Sequence, residues 1–324
     1  MIMNPAIETQ DLAKTYDGNV VAVTGLELAV PAGSVYGLIG RNGAGKTTTL
    51  RLLMGLLRPD AGSARVLGHD LWQASRQVRQ KVAYVSQSQQ LPGWMSLADC
   101  SRYHACFYEK WDADFARRLA QRWELPWGRS LARLSGGEQR MAAVVLALSA
   151  RPEVMLLDEP AGGLDPIARR SLLNGIVEAL SHGDGCTVLF STHLIGDLQR
   201  VADAVGILDR GRLIANARLA DLLEQTKRVQ IVFDQPSPPE GFAIPGALRM
   251  QTVGPVVTAL IRIAGDSQLD AIRQMRGVRV NLFPVNLEEI FIELFSRTRR
   301  DAADAEPGVF ETELITAAHE DRGP

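Results

Sequence analysis

Gly40-Arg41-Asn42-Gly43-Ala44-Gly45-Lys46-Thr47-Thr48 is the stretch that decides the fold of this chain. It matches the glycine-rich pattern in which backbone N–H groups turn inward around nucleotide phosphates. An apolar run at 35–39 predicts a strand before it, and residues 48–57 predict a helix after it, as the pattern requires. Lys46 is placed to reach the β- and γ-phosphates, and the Thr47 hydroxyl suits Mg²⁺. We therefore predict that this segment, the phosphate loop (residues 40–48), binds a nucleoside triphosphate.

A second motif supplies two adjacent carboxylates. Residues 154–157, Val-Met-Leu-Leu, predict a buried strand that ends in Asp158 and Glu159. Open α/β sheets bind their ligands at the carboxyl ends of the strands. Asp158 therefore suits Mg²⁺, directly or through water, and Glu159 suits the attacking water as general base.

Further apolar runs at 82–85 and 187–190 also predict buried strands, and helical patterns separate them from one another. Alternation of this kind is typical of α/β folds that are built on a parallel sheet.

Residues 134–140, Leu-Ser-Gly-Gly-Glu-Gln-Arg, form another glycine-rich turn, ahead of a helical stretch that runs to residue 150. Small residues and free amides at the start of a helix favour anion binding, so this turn is a second anion site. One chain needs only one phosphate-binding loop for each γ-phosphate. The heptapeptide resembles the signature motif of the ATP-binding cassette (ABC) ATPases without a substitution. The resemblance implies that Ser135, Gly136, Gly137 and Glu138 of one copy close over ATP held by a second copy in a homodimer.

The resemblance extends over about residues 7–225 and assigns further residues. Tyr16 resembles the aromatic residue that stacks on adenine, although a tyrosine at a strand edge is the alternative. His193, which closes the strand before it, resembles the histidine that contacts the γ-phosphate. With Lys46, Glu159 and Gln87 it forms the implied catalytic set for ATP hydrolysis with Mg²⁺.

Gln87 resembles the glutamine that senses Mg²⁺ and contacts the membrane subunit, and it is predicted as both a catalytic residue and a metal ligand. Gln89 and Gln90 are alternatives for that role. Residues 162–165, Gly-Gly-Leu-Asp, resemble the loop that links the two ATP sites, with Gly162 in place of a frequent serine.

Three regions are expected along the chain. The resemblance implies that residues 5–226 form an α/β P-loop NTPase domain of the ABC type with a helical signature subdomain. Residues 227–297 predict a small α+β domain, with strands at 228–233, 256–263 and 278–283, helices at 267–275 and 286–295, and a loop at 234–241. Asn286 suits the N-cap of the closing helix. Residues 298–324 are acidic and poor in large apolar groups, which predicts a disordered tail.

Composition limits the partners. The net charge is −2, so no basic character indicates nucleic acid. The longest obvious apolar helical stretch, residues 141–150, is far shorter than the about 20 residues of a bilayer span. Residues 1–10 show no basic start followed by a long apolar stretch, so we expect no secretory signal there. The three cysteines show no paired metal pattern and suit a reduced cytoplasm. Any membrane role must therefore come through a partner chain. The resemblance implies separate permease subunits that hold this chain at the cytoplasmic face of the inner membrane.

Three functions remain open at this point: an exporter ATPase, an importer ATPase, and a soluble ABC protein of translation or DNA repair. Residues 287–294 resemble the C-terminal end of bacterial ATPases that serve ABC-2-type export permeases, and residues 107–112 resemble one bacterial subset of them. A packed amphipathic helix explains the first likeness about equally well. Importer ATPases often carry a longer regulatory barrel, and soluble members commonly carry two cassettes. Export is therefore the favoured interpretation, and the cargo is left open.

Overall fold

A computed structural model describes residues 5–70, 72–88, 91–181, 185–262 and 269–304, without the side chains of 178–181 and 296–304. The chain forms two compact units, Met1–Asn216 and Ala217–Pro324. The sequence predicts a later boundary, between residues 226 and 227. The difference arises because the helix at Leu219–Gln225 packs on the strand that follows it in the second unit.

The elements are numbered in chain order. The described strands are β1 (Pro5–Tyr16), β2 (Val20–Pro31), β3 (Val35–Gly40), β4 (Ala61–Val66), β5 (Val82–Val85), β6 (Val154–Asp158), β7 (Thr187–Thr192), β8 (Ala204–Asp209), β9 (Arg212–Arg218), β10 (Thr226–Phe233), β11 (Ala247–Val253), β12 (Val256–Arg262) and β13 (Val278–Pro284). The described α-helices are α1 (Lys46–Leu53), α2 (Arg76–Arg79), α3 (Leu97–Ala105), α4 (Ala113–Arg122), α5 (Gly136–Ser149), α6 (Pro166–Ser181), α7 (Ile195–Val201), α8 (Leu219–Gln225), α9 (Asp270–Arg273) and α10 (Leu287–Asp304).

A six-stranded sheet of order β5-β6-β7-β3-β8-β9 forms the centre of the first unit. The pairs β5–β6, β6–β7, β7–β3 and β3–β8 are parallel. Every residue of β3, β6 and β7 is buried, which is why these strands read as continuous apolar runs. The prediction of a parallel sheet with strands at these positions is confirmed.

A second sheet of order β2-β1-β4 lies in the same unit and is antiparallel. The sequence predicts only the parallel sheet, so this sheet is an addition to the expected architecture. In the second half of β2 buried and exposed residues alternate, with Leu26, Leu28 and Val30 in the core. Half-buried strands of this kind mix polar and apolar residues and leave no continuous apolar run.

Two helices of the first unit, α1 and α5, begin at the motifs of the candidate site. Helix α1 begins at Lys46 and ends at Leu53. The sequence predicts a helix at 48–57, so the observed helix starts two residues earlier and ends four residues earlier. Gly55 stands at φ 65°, a left-handed conformation that stops the helix. Helix α5 packs against α3 and α4 and opens with the signature sequence, which agrees with the predicted helical subdomain.

The second unit contains an antiparallel sheet of order β11-β12-β10-β13 with helices α8, α9 and α10. Its core includes Val229, Ile231, Val257 and Ile272. Strand β11 is absent from the sequence prediction, because its residues alternate little and stay half-exposed. Helix α9 is four residues long, shorter than the predicted helix, whose first residues lie outside the described part.

Helix α10 begins after the predicted N-cap, Asn286, and extends beyond its predicted end. Asn286 Oδ1 accepts the Glu289 N–H at 2.9 Å, as an N-cap does. The helix runs to Asp304, whereas the sequence predicts an end at 295 and a disordered tail from 298. Extending an existing helix costs less than starting one, so residues 298–304 can join it despite their polarity. The rest of the predicted tail, 305–324, lies outside the described residues. Among the described helices, none combines the length and the apolarity that crossing a bilayer requires.

Candidate active site

The phosphate loop joins the end of β3 to the start of α1, and its glycines are required by close backbone contacts. A Cβ atom on Gly40 would lie 2.6 Å from the Leu208 carbonyl oxygen. One on Gly45, at φ 106°, would lie 2.3 Å from the Ala22 carbonyl oxygen. Only glycine fits both positions, and the loop is thereby held tightly at the N-terminus of α1.

Lys46 is buried beneath this loop, with 6% of its surface exposed. Its Nζ donates to the Gly40 carbonyl at 2.7 Å and lies 3.3 Å from Glu159 Oε1. The structure therefore brings the predicted phosphate-binding lysine and the predicted general base together. A buried pair of opposite charges that is also hydrogen-bonded holds both side chains in place.

Asp158 ends β6 directly beside the first turn of α1. Its Oδ1 accepts hydrogen bonds from Ser191 Oγ at 2.7 Å and Thr47 Oγ1 at 3.1 Å. Its Oδ2 is buried and has no hydrogen-bond partner. A carboxylate with a free buried oxygen next to a threonine hydroxyl is a donor set that fits Mg²⁺, which prefers few protein ligands together with substrate phosphates and water.

Glu159 occupies the turn after β6 in a left-handed conformation, at φ 50°. For a residue other than glycine this costs about 1–2 kcal/mol, so the surroundings must impose it. Its N–H donates to Ser191 Oγ at 3.0 Å, and its Oε2 lies 2.8 Å from His193 Nδ1. The side chain is 6% exposed, whereas His193 is 47% exposed. Glu159 thus lies between Lys46 and His193.

A cavity of about 470 Å³ opens between the phosphate loop, His193 and the β8–β9 turn. Its lining includes Arg41 and Asn42 from the loop, and Asp209 and Arg210 from the turn. The Gly211 N–H donates to the Ala44 carbonyl at 2.9 Å and so fixes the turn to the loop. Two arginines and a histidine against the single carboxylate of Asp209 favour an anion such as phosphate.

Tyr16 lies near the other end of the phosphate loop, where its hydroxyl is 3.4 Å from Thr48 Oγ1. The residue is 38% exposed, which leaves the ring accessible to a base. Its predicted stacking on adenine stays a prediction.

The signature turn (residues 135–138) is built as a helix cap. Ser135 Oγ accepts the Glu138 N–H at 3.2 Å, and Glu138 Oε2 accepts the Ser135 N–H at 2.7 Å. The Ser135 backbone and hydroxyl bonds lower the pKa of Glu138. Ser135 and Gly136 are exposed, and a Cβ atom on Gly136 would meet nothing within 4 Å. Among the described residues, no hydrogen bond or ion pair joins this turn to the phosphate loop of the same chain.

Gln87, like the signature turn, is not hydrogen-bonded to the cluster around Glu159 among the described residues. Its side chain is exposed, and among described residues it forms no hydrogen bond with Thr47, Asp158 or Glu159. Its carbonyl accepts Arg140 Nη2 at 3.2 Å. Its proposed role as a metal ligand stays a prediction, and the alternatives Gln89 and Gln90 lie outside the described part of the chain.

Ser191 is the residue whose role the sequence does not reveal. It is fully buried and bonds to both members of the carboxylate pair. The register that pairs Asp158 with Ser191 on neighbouring parallel strands brings them together. Only the strand order could have indicated this, because the two residues are far apart in sequence.

The chain is similar to known proteins. Residues 23–162 match the family model described as ABC transporter. The chain is 30% identical over 303 residues, 91% of this chain and 99% of the relative, to the ABC transporter ATP-binding protein YtrB of Bacillus subtilis. It is 32% identical over 307 residues, 92% of this chain and all of the relative, to the Nod factor export ATP-binding protein I of Cupriavidus metallidurans. It is 39% identical to the daunorubicin/doxorubicin resistance ATP-binding protein DrrA of Streptomyces peucetius, over 67% of this chain and 66% of the relative.

Solved structures agree on the fold. An ATP-binding subunit of an ABC transporter superposes with a TM-score of 0.61 at 30% identity, covering 68% of this chain and 92% of the other. The dimeric bacterial ABC transporter cassette MJ0796 gives a TM-score of 0.60 at 22% identity, covering 66% of this chain and 98% of the other, which shows the fold alone. With a relative matched along almost its whole length, the chain belongs to the family of ABC transporter ATP-binding proteins.

Proposed function

We propose that this ABC-type ATPase powers a separate membrane permease in the direction of export, from the cytoplasmic face of the inner membrane. The observation that carries the proposal is the cluster of Lys46, Glu159 and His193 beside Asp158 and Thr47. Export is supported by similarity along almost the whole chain to the Nod factor export protein, and over two thirds of it to the daunorubicin resistance protein.

The reaction converts ATP and water to ADP and phosphate, and it needs positioning and charge neutralisation more than covalent chemistry. The phosphate-loop amides and Lys46 hold the β- and γ-phosphates, and His193 contacts the γ-phosphate. Glu159 accepts a proton from the attacking water. For this, Lys46 Nζ must exchange its contact with Glu159 Oε1 for phosphate oxygen, which frees the carboxylate. Asp158 and Thr47 would hold Mg²⁺, which supplies neutralisation of phosphate charge.

The ATP sites are proposed to be shared between two copies of the chain. The signature turn has no polar bond to its own phosphate loop among described residues. Its capping box engages the Ser135 and Glu138 N–H groups and, among described residues, leaves those of Gly136 and Gly137 open to an anion. A two-fold dimer would place each turn over the ATP of the other copy. The two copies then bind each other with different affinity in the ATP-bound and ADP-bound states, and this difference in affinity drives the movement of the permease.

Mixing two inactive variants tests the shared site. Lys46→Ala removes the phosphate contact, and Ser135→Arg puts a bulky charge on the signature turn. In a mixed dimer both defects fall in one site and the other site is intact. Recovered hydrolysis or ATP trapping supports sharing. With mixed dimers shown to form, recovery of neither signal would mean that each chain carries a complete site.

The membrane role is tested by purifying the tagged chain from its native membranes in detergent. We expect a multi-span permease to copurify and to raise ATP hydrolysis, and the Glu159→Gln complex to lose that hydrolysis. A secreted binding protein that stimulates the complex would indicate import. Copurification with ribosomes or DNA, and no permease, would indicate the soluble class.

A further inference from the structure

Arg140, the last residue of the signature heptapeptide, contacts two loops outside its own helix. Its Nη2 donates to the Gln87 carbonyl at 3.2 Å, in the loop after β5. Cβ atoms built on Gly162 and Gly163 would lie 3.6 and 3.7 Å from its Nη1, so the guanidinium lies against this glycine pair. The side chain therefore bridges α5, the loop after β5 and the loop after β6.

The loop after β6 (residues 159–165) also carries the general base. The Gly162 N–H donates to the Glu159 carbonyl at 3.1 Å, which ties the glycine pair to the residue in the strained left-handed conformation. A Cβ atom on Gly137 would lie 2.8 Å from Leu164 Cδ2, so the first turn of α5 packs on the same loop. Helix α5 therefore contacts the loop whose backbone positions Glu159.

We propose that Arg140 is a positioning residue that couples the signature turn of a chain to Glu159 of the same chain. This rests on the proposed function: the signature turn closes over ATP held by the other copy, while Glu159 acts on the ATP of its own copy. Arg140 then links the two ATP sites of the dimer. A planar guanidinium can contact both loops at once, whereas an ammonium group has no such fork.

Arg140→Met tests the role, because it keeps the length of the side chain and removes the donors. Arg140→Lys keeps the charge and a single donor nitrogen, without the planar fork. Arg117→Met is the matched control, since Arg117 is an exposed arginine on the neighbouring helix α4. The measurements are kcat and KM for ATP, the Hill coefficient for ATP and the melting temperature.

We expect Arg140→Met to lower kcat about tenfold, because a hydrogen bond to a charged group typically contributes that much. The KM for ATP should change by less than about threefold, since the phosphate loop is untouched. The Hill coefficient should fall, Arg140→Lys should recover part of kcat, and Arg117→Met should behave as wild type.

A merely structural role would lower the melting temperature and show no recovery with lysine, and that result would overturn the proposal. Wild-type kinetics in Arg140→Met would also overturn the proposal. The proposed function would still stand in that case, provided that ATP hydrolysis by the wild-type protein depends on Glu159. A wild-type protein without ATP hydrolysis would remove both.

Discussion

Ser191→Ala probes the contact that holds the carboxylate pair in place. The substitution removes the donor to Asp158 Oδ1 at 2.7 Å and the acceptor for the Glu159 N–H at 3.0 Å, both fully buried. A hydrogen bond to a charged group contributes about 1.5–3 kcal/mol, and a neutral one about 0.5–1.5 kcal/mol. The Glu159 N–H keeps a second acceptor, the Ser191 carbonyl at 3.2 Å. The expected loss of unfolding free energy is therefore about 2–4 kcal/mol.

Calorimetric melting measures this loss, because it can separate the transitions of the two units. For a unit of this size the loss corresponds to a decrease of about 5–15 °C in melting temperature. Ser149→Ala is the matched control: Ser149 is equally buried, but its hydroxyl donates only to the Val145 carbonyl of its own helix at 2.6 Å. That variant should stay within about 1 kcal/mol of wild type, because alanine also favours the helix. Equal shifts in the two variants would refute the assigned role of Ser191.

Three further changes have defined outcomes. Lys46→Ala should weaken ATP binding and abolish hydrolysis in parallel, since it removes the cation at the phosphates; unchanged values for both would exclude the phosphate loop as the working one. Glu138→Ala should lower stability by about 1 kcal/mol at pH 7, because it removes the carboxylate half of the capping box and leaves the Ser135 half. The folded state lowers the pKa of Glu138. The extra stability of wild type over the variant is therefore present above the ordinary pKa of a glutamate and is lost as the pH falls through the folded-state pKa. A stability difference between the two proteins that persisted in strong acid would contradict this. Removing residues 305–324 should leave hydrolysis and melting unchanged, because an acidic segment with few apolar groups buries little area; a drop of several degrees would show that it docks.

The parallel sheet could be predicted from the sequence because β3, β6 and β7 are buried on both faces and so are continuously apolar. The antiparallel sheet could not, because β1 and β2 mix exposed and buried residues along their length. The sequence also could not predict that α10 extends to Asp304. A polar segment that extends an existing helix has no pattern of its own.

Each motif of the site is a short contiguous run in the sequence, and this local pattern is enough to select Lys46, Asp158 and Glu159. The contacts between them depend on strand order. Ser191 reaches Asp158 only because β7 lies beside β6 in register. Arg140 reaches Gln87 only because α5 packs against β5. Both residues were visible in the sequence, but their partners lie in segments that only the fold brings near.

ATP hydrolysis by wild type and by Glu159→Gln, compared at equal occupancy by ATP, tests the central claim most directly. Glutamine keeps the shape of the side chain and removes the proton acceptor, and a general base contributes about 10²–10⁴-fold. We expect the variant to bind ATP as wild type does, to lose at least about a hundredfold in phosphate release, and to retain unhydrolysed ATP. Phosphate release at the wild-type rate from the variant would contradict the assignment of Glu159 as the base and the account of the site that is built around it.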